Sequence, residues 1–258
     1  MDLGLTGKTV LITGGSRGIG RAAAEVLAAE GCHLVLVART AGDLETARGA
    51  IIRTANVRVD VVAADLSVHG EVARLAARFP DIDILVNNAG AIPGGDLIEI
   101  DEPTWRAAWD LKVFGYINMC REFYTLMAGR GAGVIVNVIG AAALTRDPDY
   151  ICGAAGNAAL VAFTQSLGSV SVRAGVRVVG INPGPVETDR LVTLYRKKAL
   201  ARGLDPDSWR ELVKPLPFAR AATPQEIAAA IAFLASEHSA YTSGSVIAID
   251  AGAGARSS

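Results

Sequence analysis

The chain has 258 residues, 51% of them hydrophobic, and its 25 Lys and Arg nearly balance its 26 Asp and Glu, for a formal net charge of -1. This size and apolar content allow one large α/β domain, and the near-neutral charge argues against nucleic acid or an acidic membrane surface as a partner. No apolar run reaches the roughly 20 residues of a membrane span, and residues 1–8 do not resemble a signal peptide. The three cysteines lie far apart without metal-ligand spacing. We therefore expect a cytoplasmic protein without a metal.

Strands and helices are predicted to alternate along the chain. Short runs rich in β-branched residues predict strands at 9–12, 33–37, 57–62, 84–86, 134–138, 176–181 and 246–249. Helical patterns cover 21–28, 44–54, 68–78, 105–128 and 154–173, and Thr223-Pro224-Gln225-Glu226 opens a further helix with a capping residue. Seven strands separated by helices predict an α/β fold with a doubly wound, seven-stranded parallel sheet. No linker divides residues 1–258, so we predict a single domain.

A glycine-rich turn joins the first predicted strand to the first predicted helix. Residues 13–20 read Thr-Gly-Gly-Ser-Arg-Gly-Ile-Gly. Such a turn leaves backbone N–H groups free at a helix N-terminus, where they bind a pyrophosphate, and its glycines let the backbone approach the ligand. A plain strand–turn–helix is the alternative, but the flanking strand and helix are the context that a dinucleotide fingerprint requires. We therefore predict a Rossmann-like dinucleotide-binding fold.

Unusual residues also gather where other predicted strands end, at the edge of a parallel sheet that binds ligands. One extended cofactor across residues 14–20, 38–39, 65, 87–90, 139–140 and 183–188 would explain them all. The second strand ends in Arg39 instead of the acid that would bind the 2′-hydroxyl of NAD, and a guanidinium favours a 2′-phosphate. With Arg17 as a second cation, the sequence predicts NADP(H); the alternative is that both arginines are only solvated.

With these motifs, the chain resembles the short-chain dehydrogenase/reductase family from about Leu5 to Gly252. The resemblance also rests on Asp65-Leu66, on Asn87-Asn88-Ala89-Gly90, on residues 182–188 and on residues 242–250. It implies a homotetramer or homodimer and a small-molecule substrate. It further implies a set of cofactor-binding residues: Gly14, Ser16, Arg17, Gly18, Ile19, Gly20, Arg39, Asp65, Leu66, Asn88, Ala89, Gly90, Asn157, Pro183, Gly184, Val186 and Thr188.

By the same resemblance, the segment at about 189–218 is a substrate lid. It carries apolar residues that could line a pocket: Leu191, Leu194, Tyr195, Trp209 and Leu212. It also carries a basic rim: Arg196, Lys197, Lys198, Arg202 and Lys214. A basic rim would suit an anionic or acyl substrate, although such residues can equally form a solvated face.

The resemblance implies a catalytic tetrad of Asn, Ser, Tyr and Lys, and the chain departs from it at all four positions. Lys112 stands where Asn is expected, Gly140 takes the Ser position, Gly153 the Tyr position and Asn157 the Lys position. Because Asn and Lys are exchanged, we expect the pocket to keep one cation and one amide, with Asn157 touching a ribose or Lys112. A desolvated Lys112 could act as acid or base; the alternative is that it snorkels or pairs with Asp110 or a neighbouring acid.

Tyr150 is the phenol closest in sequence to Gly153. It is a candidate for the missing proton donor, and the alternative is that it packs on the loop before it. Together these residues predict an NADP(H)-binding oxidoreductase that acts on a carbonyl or hydroxyl substrate through a non-standard active site. Two alternatives stay open: a catalytically silent NADP(H)-binding sensor or oligomer partner, and a non-redox lyase or hydratase.

Overall fold

Seven parallel strands form one sheet in the computed structural model, which describes residues 2–255. The strands β1 to β7 are Thr9–Thr13, His33–Ala38, Val59–Ala63, Ile84–Asn87, Gly133–Val138, Val176–Pro183 and Val246–Ile249. They lie in the order β3-β2-β1-β4-β5-β6-β7, and every neighbouring pair is parallel. The order reverses between β1 and β4, which opens a crevice at their carboxyl ends. The predicted Rossmann-like α/β fold is confirmed.

Helices cover both faces of this sheet. Within the described residues, α1 to α9 are Gly18–Ala29, Ala41–Ile51, Glu71–Arg78, Glu102–Trp109, Gly115–Arg130, Ala142–Thr145, Ile151–Ser171, Asp189–Ala201 and Pro224–Ala235. The predicted capping box is present at the start of α9, where Thr223 Oγ1 accepts from the Glu226 amide and the Glu226 carboxylate accepts from the Thr223 amide. The sequence patterns did not predict α6 or α8.

The predicted helix at 105–128 is interrupted. α4 ends at Trp109, and one turn of π-helix, Asp110–Phe114, precedes α5. A π-turn accommodates an extra residue within a helix, and such turns are frequent at functional sites. This turn contains Lys112.

The apolar core lies in two layers, one on each face of the sheet. Successive strand residues point to opposite faces, so Val10 and Ile12 join the layer under α1 and α9, while Leu11 joins the layer under α3 and α5. Both layers consist mainly of buried aliphatic side chains, with Phe123 in the layer under α3 and α5. No helix within residues 2–255 is long and apolar enough to cross a membrane.

Candidate active site

The glycine turn has the geometry of an anion-binding site. The chain reverses at Gly14, which has a φ of +67° and donates its amide to Val37 O at 2.7 Å. A Cβ on Gly20 would overlap the carbonyl oxygen of Gly14, so no larger residue fits there. Arg17, the N-cap of α1, makes no side-chain cap, and within the described residues the amides of Gly18 and Ile19 have no acceptor. These open amides can bind a phosphate group.

The loop after β4 is fastened to this turn. Thr13 Oγ1 accepts from the amides of Asn88 at 2.9 Å and Ala89 at 3.0 Å. In return, Asn88 Nδ2 donates to Thr13 O at 3.1 Å and to Gly14 O at 3.3 Å. The predicted cofactor residues on β1 and β4 therefore lie side by side across the reversal in strand order.

The two predicted 2′-phosphate ligands differ in their surroundings. The Asp65 carboxylate accepts hydrogen bonds from the Ser67 amide and hydroxyl, and these are the main cause that lowers its pKa. Arg39 is exposed, and its positive charge lowers the pKa of Asp65 as well. Arg17 instead pairs with Asp43 at 2.8 Å while remaining 67% exposed. Within the described residues Arg39 has no ion-pair partner and can bind a phosphate, whereas Arg17 would have to exchange partners.

The loop after β6 closes the opposite end of the same edge. Gly184 lies against Asp250, and Val186 is buried. Thr188 caps α8 by accepting from the Leu191 amide, and a Cβ on Gly18 would lie 3.2 Å from Thr188 Cγ2. The residues predicted to hold the two ends of a dinucleotide thus lie along one continuous edge of the sheet.

Lys112 points into the protein. Its side chain is 7% exposed, and Nζ donates to Val138 O and to Tyr116 Oη, each at 2.7 Å. Tyr116 Oη donates in turn to Val138 O at 2.8 Å. Within the described residues Lys112 neither snorkels nor pairs with Asp110 or another acid, so the alternative interpretation of this residue is wrong.

The Lys112 stem passes beneath the loop after β4. A Cβ on Gly90 would lie 2.6 Å from Lys112 Cδ, so only glycine leaves room for the lysine at this point. Burial, together with the positive charge of Arg190, lowers the pKa of Lys112 to about 7. An amine with this pKa can hold or release a proton near neutral pH.

Asn157 is buried beside Gly140. It is 4% exposed, and its Oδ1 has no donor among the described residues. Gly140 has a φ of +144°, and a Cβ there would lie 2.7 Å from Asn157 Nδ2. Among the described residues, no hydrogen bond joins Asn157 to Lys112. The expected contact between Asn157 and a ribose therefore remains a prediction.

Tyr150 lies at the N-cap of α7 and turns toward Gly153. A Cβ on Gly153 would overlap Cε1 and Cζ of the Tyr150 ring, so the phenol fills the space that a side chain at 153 would take. The backbone of Tyr150 is bridged to Gly95, which donates its amide to Asp149 O at 2.7 Å. Tyr150 is thus packed within the site and does not rest only on the preceding loop.

The predicted apolar wall of the lid is partly wrong. Leu191 and Trp209 are buried with Val213 and Ala221 in a small core within residues 189–221, so they do not line a pocket. Leu194 does reach the loop after β4, because a Cβ placed on Gly94 would lie 3.3 Å from Leu194 Cδ1. The sequence patterns missed α8, and with it the packing that turns these side chains inward.

The predicted basic rim is largely compensated by acids. Arg196 pairs with Asp207 at 2.8 Å and Lys214 with Glu211 at 2.5 Å. Lys198 lies 4.0 Å from a carboxylate oxygen of Asp147. These side chains form a solvated, ion-paired face.

Two residues of the site were not predicted from sequence. Tyr116 supports Lys112, and Arg190, in the first turn of α8, donates to Tyr150 Oη at 3.2 Å. Only the i,i+4 spacing of Lys112 and Tyr116 could have signalled the first contact.

Cys152 is buried, and burial raises the pKa of its thiol, which does not favour a role as a nucleophile. No cluster of metal-ligating side chains occurs within residues 2–255.

Comparisons with known proteins agree with this geometry. The family model for short chain dehydrogenase matches residues 8–199. The 3-oxoacyl-[acyl-carrier-protein] reductase of Chlamydia muridarum is 31% identical over 96% of this chain and 98% of its own length. The cis-4-hydroxycyclohexanecarboxylate dehydrogenase of Sinomonas cyclohexanicum is 34% identical over 95% of this chain and 96% of its own.

Solved structures extend the match to the whole fold. L-sorbose reductase from Gluconobacter frateurii, complexed with NADPH and L-sorbose, superposes with a TM-score of 0.91 at 32% identity and covers 97% of this chain and 98% of its own. The parallel sheet, the glycine turn at its edge and these matches lead to one conclusion: the chain belongs to the short-chain dehydrogenase family.

Proposed function

We propose that the protein is an NADP(H)-dependent oxidoreductase that interconverts a carbonyl and a hydroxyl through a non-standard active site. Membership of the short-chain dehydrogenase family supports the reaction class. The NADPH complex of the similar L-sorbose reductase supports the cofactor. The open amides of Gly18 and Ile19, together with the exposed Arg39 beside Asp65, fit a dinucleotide that carries a 2′-phosphate.

The roles of the cofactor-binding residues follow from their positions along the edge. The glycine turn would hold the diphosphate, Arg39 the 2′-phosphate, and Asp65 with Leu66 the adenine. Residues 88–90 would back the nicotinamide ribose, and residues 183–188 its carboxamide, with the Asn157 amide facing the ribose. The nicotinamide, when bound, supplies hydride chemistry. The protein must then orient the substrate and exchange one proton with its oxygen.

The position of Tyr150 against Gly153 carries the proposal of a non-standard site. The chain has glycine at the Ser and Tyr positions that the family resemblance implies, yet a phenol from three residues earlier fills the space at 153. We assign the proton exchange to Tyr150 because its hydroxyl, unlike that of Tyr116, is not sealed against Val138. Lys112, beneath Gly90 and with a pKa near neutrality, is proposed as a second proton-holding group.

Turnover measurements test this function. The absorbance of NADPH is followed with a panel of ketones, including sugars, oxo acids and acyl thioesters, for the wild-type protein and for Tyr150→Phe. We expect Tyr150→Phe to lower kcat on the order of a hundred- to ten-thousandfold. Tyr124→Phe, which removes the hydroxyl of a half-buried tyrosine on α5 outside the site, is the matched control and should retain activity. A Tyr150→Phe variant with wild-type kcat would contradict the proposed proton donor.

The same assay separates the alternatives. NADPH that binds but is never oxidised would favour a sensor or oligomer partner. A substrate that is converted while NADPH stays unchanged would favour a lyase or hydratase. We expect neither outcome, because the chain belongs to a family of dehydrogenases.

Residues 189–218 are proposed to cover the substrate.

The protein is proposed to assemble as a homotetramer or homodimer. Apolar side chains at the surface support this assembly, among them Leu97, Ile98 and Phe114 near α4. A cavity of about 490 Å³ lies beside them and is lined partly by Trp105 and Trp109. Sedimentation velocity would detect the assembly, and a monomer at micromolar concentration would contradict it.

A further inference from the structure

Arg190 joins three separate parts of the candidate active site. It lies in the first turn of α8, directly after the loop that would hold the nicotinamide. Its Nη1 donates to Gly90 O at 3.2 Å, and its Nη2 donates to Ile92 O at 2.6 Å and to Tyr150 Oη at 3.2 Å. One guanidinium therefore fixes the start of α8, the loop after β4 and the phenol relative to one another.

The hydrogen bond to Arg190 determines how the phenol can act. Because the guanidinium has only donors, Tyr150 Oη must be the acceptor. The phenolic proton has no acceptor among residues 2–255, so it remains available for a ligand. By contrast, the Tyr116 proton is already donated to Val138 O in a fully buried position.

The charge of Arg190 is not compensated by an acid. Arg17, Arg196 and Arg220 each pair with a carboxylate, whereas within the described residues Arg190 donates only to two carbonyls and the phenol. An uncompensated cation beside a phenol stabilises the phenolate more than the neutral form. This is the electrostatic condition for a phenol that must give up its proton and take it back.

The other charged groups around Tyr150 are few. Burial is the main cause that raises the pKa of Tyr150, and the thiol group of Cys152, in the first turn of α7, also raises it. The preceding loop carries Asp147, which lies 4.0 Å from Lys198 and accepts from the Asp149 amide. Arg190 is the group that lowers the pKa of Tyr150, through its charge and its hydrogen bond.

We propose that Arg190 is a positioning residue that holds the Tyr150 hydroxyl at the substrate and stabilises its phenolate. The proposal rests on the proposed function of Tyr150. In reduction, a bound nicotinamide would supply the hydride for the carbonyl carbon, and Tyr150 Oη would give its proton to the carbonyl oxygen. The O–H bond of the phenol breaks, its electron pair stays on the phenolate beside Arg190, and solvent returns a proton afterwards. In oxidation the phenolate accepts the proton of the substrate hydroxyl.

This arrangement couples the lid to the chemistry. Arg190 belongs to α8, so a movement of α8 away from the sheet would withdraw the guanidinium from Tyr150 and from Gly90 together. The phenol would then titrate at a higher pH. The proton donor is therefore competent only while the start of α8 rests on the loop after β4.

Titration of the phenol tests the proposal without relying on turnover. The ultraviolet difference spectrum between the wild-type protein and Tyr150→Phe isolates the Tyr150 phenolate as pH rises. The same difference is taken between Arg190→Met and the double variant Arg190→Met/Tyr150→Phe. We expect Tyr150 to ionise at a higher pH in Arg190→Met, and Arg190→Lys to restore part of the shift. Arg196→Met, which removes a charge from the same helix, should leave the titration unchanged.

Kinetics supply the second readout. The rise of kcat for alcohol oxidation with pH should move to higher pH in Arg190→Met, and kcat at neutral pH should fall about ten- to a hundredfold, the worth of one hydrogen bond to a charged group. Melting temperatures establish that each variant is folded, and Arg190→Gln replaces Arg190→Met if the latter does not fold.

The outcomes separate this proposal from the proposed function. If Tyr150→Phe loses activity but the phenol titrates identically with and without the Arg190 guanidinium, Arg190 is not the positioning residue and Tyr150 remains the donor. If Tyr150→Phe retains activity, the proposed function of Tyr150 fails first. A higher titration pH together with a displaced kinetic profile in the Arg190 variants would support both.

Discussion

The amide nitrogen of Asn157 lies 2.7 Å from the point at which a Cβ on Gly140 would be placed. A serine at 140 would therefore collide with the asparagine, and Gly140 also has a φ of +144°, which L-residues rarely adopt. The glycine at 140 and the asparagine at 157 thus form a sterically compatible pair.

Gly140→Ser should therefore destabilise the protein without creating a working site. The strained backbone alone costs on the order of 1–3 kcal/mol. Urea unfolding measures the change in the free energy of unfolding. Gly42→Ala is the control, because a Cβ there has nothing within 4 Å in α2, and it should be neutral or slightly stabilising. Equal stability of Gly140→Ser and wild type would contradict the geometry.

Gly153→Tyr should be tolerated only after Tyr150 is removed. The new Cβ would overlap the Tyr150 ring, so Gly153→Tyr alone should cost roughly 1–3 kcal/mol of stability through overpacking. With Tyr150→Ala in the same chain the space is vacant, and the two substitutions should be strongly non-additive. A double-mutant cycle of unfolding free energies measures this coupling. Additive effects would show that the two positions do not share one space.

Lys112 should make stability depend on pH. Its pKa is about 7 in the folded protein and is higher in the unfolded chain, where an ordinary lysine has a pKa of 10.5. Between these pH values the unfolded chain binds a proton that the folded protein does not, so the free energy of unfolding should rise with pH, by at most about 1.4 kcal/mol per pH unit. Below pH 7 this contribution should be constant.

Lys112→Met should remove that dependence. The variant should gain most over wild type below pH 7 and lose the advantage as pH rises. Urea unfolding of both proteins at several pH values measures the difference, and Lys197→Met, on the exposed side of α8, controls for the loss of a lysine. A wild-type-minus-variant difference that is flat with pH would mean that Lys112 stays charged when folded.

Arg39 should determine the preference for NADPH. Arg39→Met should raise the Kd for NADPH about ten- to a hundredfold, since a hydrogen bond to a charged group is lost, and should leave the Kd for NADH unchanged. Arg17→Met is the matched comparison and should have a smaller effect, because that guanidinium is paired with Asp43. Fluorescence titration gives both constants. Equal losses for the two cofactors would contradict the assignment.

The sheet could be predicted from sequence because its signal is local. Each strand is a short β-branched run, and the glycine turn follows β1 directly, so the order of elements and the edge that carries the polar residues follow from pattern alone. Pairing across the sheet, such as Thr13 with the amides of Asn88 and Ala89, could be expected only from the shared edge.

The chemistry of the site depended on contacts that no spacing reveals. Tyr150 and Arg190 are 40 residues apart, and their contact requires both the turn before α7 and the unpredicted α8. The inward turn of Trp209 likewise follows from packing within residues 189–221. Burial of Lys112 depended on the π-turn, because an unbroken helix over 105–128 would have presented another face at that position.

That π-turn ties the length of the chain to the placement of two different surfaces. An α-helix advances about 100° per residue, so the same residues wound as an unbroken α-helix, without the π-turn at Asp110–Phe114, would rotate its two halves relative to each other by roughly that angle. Either the amine would leave its place beneath Gly90, or the Phe123 side of α5 would leave the sheet. The extra residue in the π-turn therefore allows one interrupted helix to place Lys112 beneath Gly90 and Phe123 in the core.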